Sequence, residues 1–229
     1  MSGAVLLIAT LGGILPALLW LAFWLMEDRC DPEPKRYIFF CFLAGMAAVP
    51  LVLPLEKAAG SYLQGSQVLL AWAVIEELFK FGAAYAAALR FRVFDEPLDG
   101  VIYLVTAALG FSALENALFL ASPASAGDAL RLIVTGDLRF MGASTLHMLA
   151  SATIGISLAF SFYSSARVRK LSALTGVILA VALHTLFNFF ILTNGSGSML
   201  FLIFLVIWLG IVALLFAIEK VKQPARDYC

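Results

Sequence analysis

AVLLIATLGGILPALLWLAFWLM, residues Ala4–Met26, is an unbroken apolar run with no charged side chain. A helix of that length crosses about 30 Å of hydrocarbon at about 1.5 Å per residue. No basic segment precedes it and no convincing small-residue cleavage site ends it, so it reads as a retained membrane span rather than a cleaved leader. Working outward, further apolar runs lie at 37–55, 66–91, 98–121, 141–163, 171–193 and 197–218, each bounded by charged or turn residues. In lipid every backbone polar group must be satisfied within the segment, which selects helices for such runs. The expected fold is all-α: a polytopic transmembrane helix bundle of about seven spans, forming a single domain over residues 1–229.

Composition excludes the soluble alternatives. Hydrophobic residues make up 62% of the chain and charged ones 13%, against about 45–50% and about 25% in soluble domains. Too little polar surface exists to coat a water-exposed globule, and the bilayer is the expected surrounding. Net charge is zero, which removes the electrostatic case for a nucleic-acid partner. Cys30, Cys41 and Cys229 are scattered and odd in number, so no disulfide framework is expected.

Two connections have substance. Glu27–Arg36 carries Asp31-Pro32-Glu33-Pro34, and its Asp31–Arg36 run reads as a solvated loop. Ser122–Phe140 carries Asp128, Arg131, Asp137 and Arg139 among apolar residues, the pattern of a short interfacial helix. Asn194-Gly195-Ser196-Gly197 predicts a tight turn between the last two spans. Orientation follows from the basic residues. Arg29, Lys35, Arg36, Arg90, Arg92, Arg167, Arg169, Lys170, Lys220, Lys222 and Arg226 fall on one side, and Lys57, Arg131 and Arg139 on the other. The asymmetry predicts an outer N-terminus and a cytoplasmic C-terminus.

Ionisable side chains within spans cost about 2.5–3.5 kcal/mol each on insertion scales and so mark function. Here they are Glu76, Glu77 and Lys80 in the third span, Glu115 in the fourth, His147 in the fifth and His184 in the sixth. Counted from the outer ends of antiparallel spans, Glu76, Glu115, His147 and His184 all fall about 9–15 Å deep. Lys80 stands one turn from both Glu76 and Glu77 and can neutralise one of them; Asn188 shares a face with His184, as Phe111 does with Glu115. Two imidazoles and a carboxylate suit a tetrahedral Zn²⁺ with an open position, with a further carboxylate as general base. On the residues alone, metal-assisted hydrolysis and a proton-coupled transporter or non-enzymatic scaffold remain alternatives.

The ordered motifs are more specific than any one of them. Glu76-Glu77-Leu78-Phe79-Lys80 fits E-E-x-x-K, Phe111 to Asn116 fits F-x-x-x-E-N, and His184-Thr185-Leu186-Phe187-Asn188 fits H-x-x-x-N. With Pro32-Glu33-Pro34 and Asp95-Glu96-Pro97-Leu98-Asp99-Gly100, they resemble the PrsW family of bacterial membrane proteases over about residues 20–190. That family belongs to a wider group that includes the type II CAAX prenyl proteases, which carry histidine where Glu115 stands. The resemblance implies a membrane-embedded, zinc-dependent endopeptidase of the bacterial cytoplasmic membrane. It would make the extracytoplasmic cut in a membrane-tethered substrate of the anti-sigma-factor type. By motif, the resemblance makes Glu76 the catalytic base and Glu77 its supporting partner. It completes the catalytic set with Lys80 and Asn188 and gives the metal to Glu115, His147 and His184.

Overall fold

The computed structural model describes residues 3–29, 31–193 and 197–222. Among these residues the elements are helices: α1 (Gly3–Glu27), α2 (Lys35–Tyr62), α3 (Ser66–Ala84), α4 (Asp99–Ala126), α5 (Ala129–Leu138), α6 (Thr145–Phe160), α7 (Ala166–Thr193) and α8 (Gly197–Lys222). A π-helical turn, Tyr85–Leu89, extends α3, and another, Arg139–Ser144, fuses α5 and α6 into one rod. Among the described residues, six helical segments are long and apolar enough to cross a membrane: α1, α2, α4, the α5–α6 rod, α7 and α8. Helix α3, of 19 residues, occupies the remaining expected span and carries three charged side chains, Glu76, Glu77 and Lys80. All three are buried, so their charge is turned into the bundle rather than toward lipid.

Several helices outlast the apolar runs that predict them. Helix α2 reaches Tyr62 and α4 reaches Ala126, so much of the connection expected at 122–140 is helical. The interfacial helix expected there is α5, capped by Asp128, whose Oδ1 accepts from the backbone N–H of Arg131 at 2.9 Å. It is not a separate piece, because the π turn carries it into α6. Cys30, Cys229 and the Asn194–Ser196 part of the expected turn lie outside the described residues.

Helix α4 is the axis of the bundle. It is apolar all round and buried without interruption from Asp99 to Ala113, as expected of a helix surrounded by others. Helices α1, α2 and α6 pack directly against it. The α2–α4 contact is close because of two glycines. A Cβ on Gly45 would overlap the Ala107 carbonyl, and one on Gly110 would overlap the Phe42 carbonyl. Small residues at crossings let backbones meet at van der Waals distance, which is how membrane helices associate without a hydrophobic driving force. Helices α1, α7 and α8 are the least buried of these spans, with Leu7, Leu15 and Leu19 of α1 and Phe201, Leu209 and Phe216 of α8 facing outward.

In the Asp31–Arg36 run, expected as a solvated loop, every residue but Glu33 is exposed. Asp28 and Glu33 are buried. Glu33 donates its backbone N–H to Asp28 Oδ2 at 3.3 Å, and its side chain accepts from the Tyr103 hydroxyl of α4. Asp99, at the start of α4, accepts the backbone N–H groups of Asp95 and Glu96, each at 2.8 Å. These contacts tie both loops at this end of the bundle to α4. Burial pushes the Asp28 carboxyl up to about 7. Burial, reinforced by a hydrogen bond to Asp99, pushes that of Glu33 up to about 9.

Candidate metal centre

Four helices supply the polar cluster. Glu76, Glu77 and Lys80 come from adjacent turns of α3, Glu115 and Asn116 from α4, His147 from α6, and His184 and Asn188 from α7. The i, i+3 and i, i+4 spacing on α3 puts Lys80 Nζ 2.5 Å from Glu77 Oε1 and 4.0 Å from Glu76 Oε2. These charges sit among apolar side chains; Lys80 Nζ lies 5.2 Å from the centre of the Phe111 ring. A buried ion pair survives there only because further hydrogen bonds complete it.

The two imidazoles meet edge to face, with ring centres 5.2 Å apart. Each is held from behind. His184 Nδ1 lies 2.7 Å from Glu77 Oε1, leaving Nε2 3.9 Å from Glu76 Oε2. His147 Nε2 lies 3.0 Å from Glu115 Oε2, leaving Nδ1 3.8 Å from Glu76 Oε2 and 2.9 Å from Lys80 Nζ. Carboxylates behind histidines in this way fix ring orientation at metal sites.

Glu76, His147 and His184 thus present ligand atoms within 4.8 Å of one another, and all three residues are buried. Tetrahedral ligands about 2.0–2.1 Å from a zinc-sized ion stand about 3.4 Å apart, so the separations of 3.8 and 3.9 Å need only a small contraction. Among the described residues, no N–H or hydroxyl donates to Glu76 Oε2, although it is buried. An orphaned carboxylate oxygen costs free energy unless a cation completes it. The residues fit a metal ion.

Other residues of the expected site take distinct places. Glu115, expected as the carboxylate ligand, lies beyond His147 and is bound by Arg139 Nη2 at 2.5 Å; the carboxylate facing both imidazoles is that of Glu76. Lys80 and Glu77 stand behind the triad. Asn188 lines a cavity of about 710 Å³ onto which Glu76, Glu115, His147 and His184 also open. Its walls are largely apolar, with Trp72, Phe119, Phe187 and Phe204 among them.

Two further charged residues line this cavity, Glu56 of α2 and Arg139 of the π turn, and neither was expected there. Glu56 follows the apolar run at 37–55 directly, and Arg139 precedes the run at 141–163, so both read from sequence as edge charges. Their one signal is position, since each is within a turn of a predicted span.

The sequence model of the PrsW family intramembrane metalloproteases matches residues 33–216. Protease PrsW of Geobacillus kaustophilus is 26% identical over 223 residues, which cover 94% of this chain and 91% of that one. Protease PrsW of Clostridioides difficile is 27% identical over 203 residues, covering 85% and 83%. Protease PrsW of Bacillus subtilis is 26% identical over 208 residues, covering 87% and 90%. No solved structure matches the chain. With a buried Glu–His–His group at the centre of a helix bundle and a family match over most of its length, this multi-pass membrane protein belongs to the PrsW family of intramembrane metalloproteases and is a peptidase.

Proposed function

We propose that the protein is a zinc-dependent endopeptidase of the bacterial cytoplasmic membrane. It cuts a membrane-tethered substrate of the anti-sigma-factor type near the extracytoplasmic surface. The observation that carries this reading is the convergence of Glu76, His147 and His184, with an unsatisfied Glu76 oxygen, at the cavity. Zinc held by such a set supplies Lewis acidity toward a peptide carbonyl and toward water.

The chain's own residues supply the rest. His147 and His184 direct one ring nitrogen each at Glu76, and Glu77 keeps His184 in that orientation. Lys80 offsets the charge of Glu77, so Glu77 is not left uncompensated. The apolar walls exclude bulk water and suit an extended apolar segment of substrate, while the Asn188 amide offers a donor and an acceptor to a peptide group. Geometry favours Glu76 over Glu115 as the ligand carboxylate, because Glu115 Oε2 is already engaged by Arg139 and His147.

The side of the membrane rests on the charge asymmetry, which directs the N-terminus outward and the C-terminus to the cytoplasm. With the site about 9–15 Å from the outer ends of the apolar runs, a juxtamembrane or outer-leaflet peptide bond is the one within reach. The test is incubation of the purified protein with a candidate tethered substrate beside Glu76→Gln. The variant is expected to stay folded and to lose bound zinc together with cleavage, because it replaces the ligand carboxylate by a neutral amide. Undiminished cleavage would exclude Glu76 from the chemistry.

A further inference from the structure

Arg139 reads from sequence as a charge on an outer connection, yet it lies at the candidate site. It opens the π turn Arg139–Ser144. A π turn holds one residue more than an α turn, and such bulges are frequent at functional sites. Its guanidinium is fixed on three sides by one face of α4: Nη2 lies 2.5 Å from Glu115 Oε2, Nε lies 2.5 Å from Asn116 Oδ1, and the group stacks 3.9 Å over the Phe119 ring. Asn116 is itself anchored, since its Nδ2 donates to Ser144 Oγ at 2.9 Å and to Ser112 Oγ at 3.2 Å. Loose surface arginines do not have such a bed.

The oxygen that Arg139 grips is the one that meets His147 Nε2 at 3.0 Å. A carboxylate oxygen only accepts, so Nε2 carries the proton and Nδ1 the lone pair. From the other side, Lys80 Nζ at 2.9 Å from Nδ1 is a donor and selects the same tautomer. Nδ1 has a single lone pair, which can serve Lys80 or a metal ion but not both. Once a metal takes it, the Lys80 contact can no longer set the tautomer, and only the Glu115 side holds the ring.

We infer that Arg139 is a positioning residue: by gripping Glu115 it keeps His147 with Nε2–H toward α4 and the Nδ1 lone pair toward Glu76. The inference rests on His147 being a metal ligand, and it adds a residue outside the ligand set and outside the motifs. Its action is indirect, through Glu115, so it governs metal affinity and turnover rather than substrate binding.

The chain holds two histidines, so ¹⁵N-histidine NMR of the detergent-purified, metal-free protein resolves each ring. The wild type should show His147 protonated on Nε2 and His184 on Nδ1, with the His147 N–H hydrogen-bonded and protected from exchange. In Arg139→Gln that protection should be lost, zinc affinity should fall by about 10–100-fold, and kcat should fall with KM unchanged. Arg139→Lys should recover part of each. Should Arg139→Gln fail to fold, Glu115→Leu removes the acceptor with the arginine in place and should lose the same protection and affinity. An unchanged His147 resonance and zinc affinity in these variants would overturn the inference, as would a rise in KM at constant kcat. If the wild type binds no zinc, the metal reading falls by itself. The His147 resonance then still decides the grip, which loss of protection in Arg139→Gln sustains and an unchanged signal overturns.

Discussion

His184 donates its Nδ1–H to Glu77 Oε1 across 2.7 Å, and the same oxygen lies 2.5 Å from Lys80 Nζ. One carboxylate therefore orients an imidazole of α7 and neutralises a lysine of its own helix. Removing it leaves buried Lys80 with the more distant Glu76 Oε2, at 4.0 Å, as counter-charge. Glu77→Ala should destabilise the protein by about 3–5 kcal/mol, the usual cost of breaking a buried pair from one side. Glu77→Ala/Lys80→Met should recover much of that loss, and denaturant unfolding in detergent measures both. Equal stability of Glu77→Ala and wild type would show the pair to be inert.

The α2–α4 crossing makes a second, purely steric prediction. A methyl on Gly45 would meet the Ala107 carbonyl. Gly45→Ala should therefore cost about 1–3 kcal/mol by overpacking. Gly82, inside α3, has nothing within 4 Å of the corresponding Cβ position. Gly82→Ala should be neutral or stabilising by about 0.5–1 kcal/mol, because alanine loses less entropy in a helix. Thermal shifts of opposite sign in the two variants are the expected result.

At the other end of the bundle, Asp28 and Glu33 give stability a pH dependence. Both carboxyls are raised on folding, Asp28 to about 7 from 3.8 and Glu33 to about 9 from 4.5. The folded state binds more protons than the unfolded one in those windows, so stability falls as pH rises. It is fully present below about pH 4 and declines through about pH 9. Melting temperatures measured from acid to alkaline pH should show this fall, and Glu33→Gln should flatten its alkaline part. A melting temperature that rises over the same range in wild type would contradict the assignment.

Orientation is open to a direct probe. With the N-terminus outside, a cysteine at Ser125, exposed near the end of α4, should react with an impermeant thiol reagent on intact cells. One at Ser164, exposed between α6 and α7, should be protected until the cells are opened. The reverse pattern would turn the site toward the cytoplasm.

Much of this architecture is legible in the sequence because lipid imposes a single rule, apolar runs of sufficient length, and the spans obey it. The convergence of Glu76, Glu115, His147 and His184 is legible for a related reason, since depth along antiparallel helices follows from counting residues. Depth fixes height but not rotation about the helix axis. For that reason the count could not say that Glu76, rather than Glu115, faces both imidazoles. Arg139 and Glu56 stand at the margins of apolar runs, where a charge reads as loop; the π turn that draws Arg139 inward has no signature in hydropathy. Glu33 sits in a polar, proline-rich stretch, and its burial depends on Tyr103, a partner in another helix. Local composition carries no trace of that partner.

The central claim, that Glu76, His147 and His184 together hold a metal ion, is tested most directly by the metal content of the purified protein. Elemental analysis of wild type should give close to one zinc per chain, and His147→Ala and His184→Ala should each lose most of it while remaining folded. A wild type that cleaves its substrate with no metal bound, or histidine variants that retain it in full, would contradict the account.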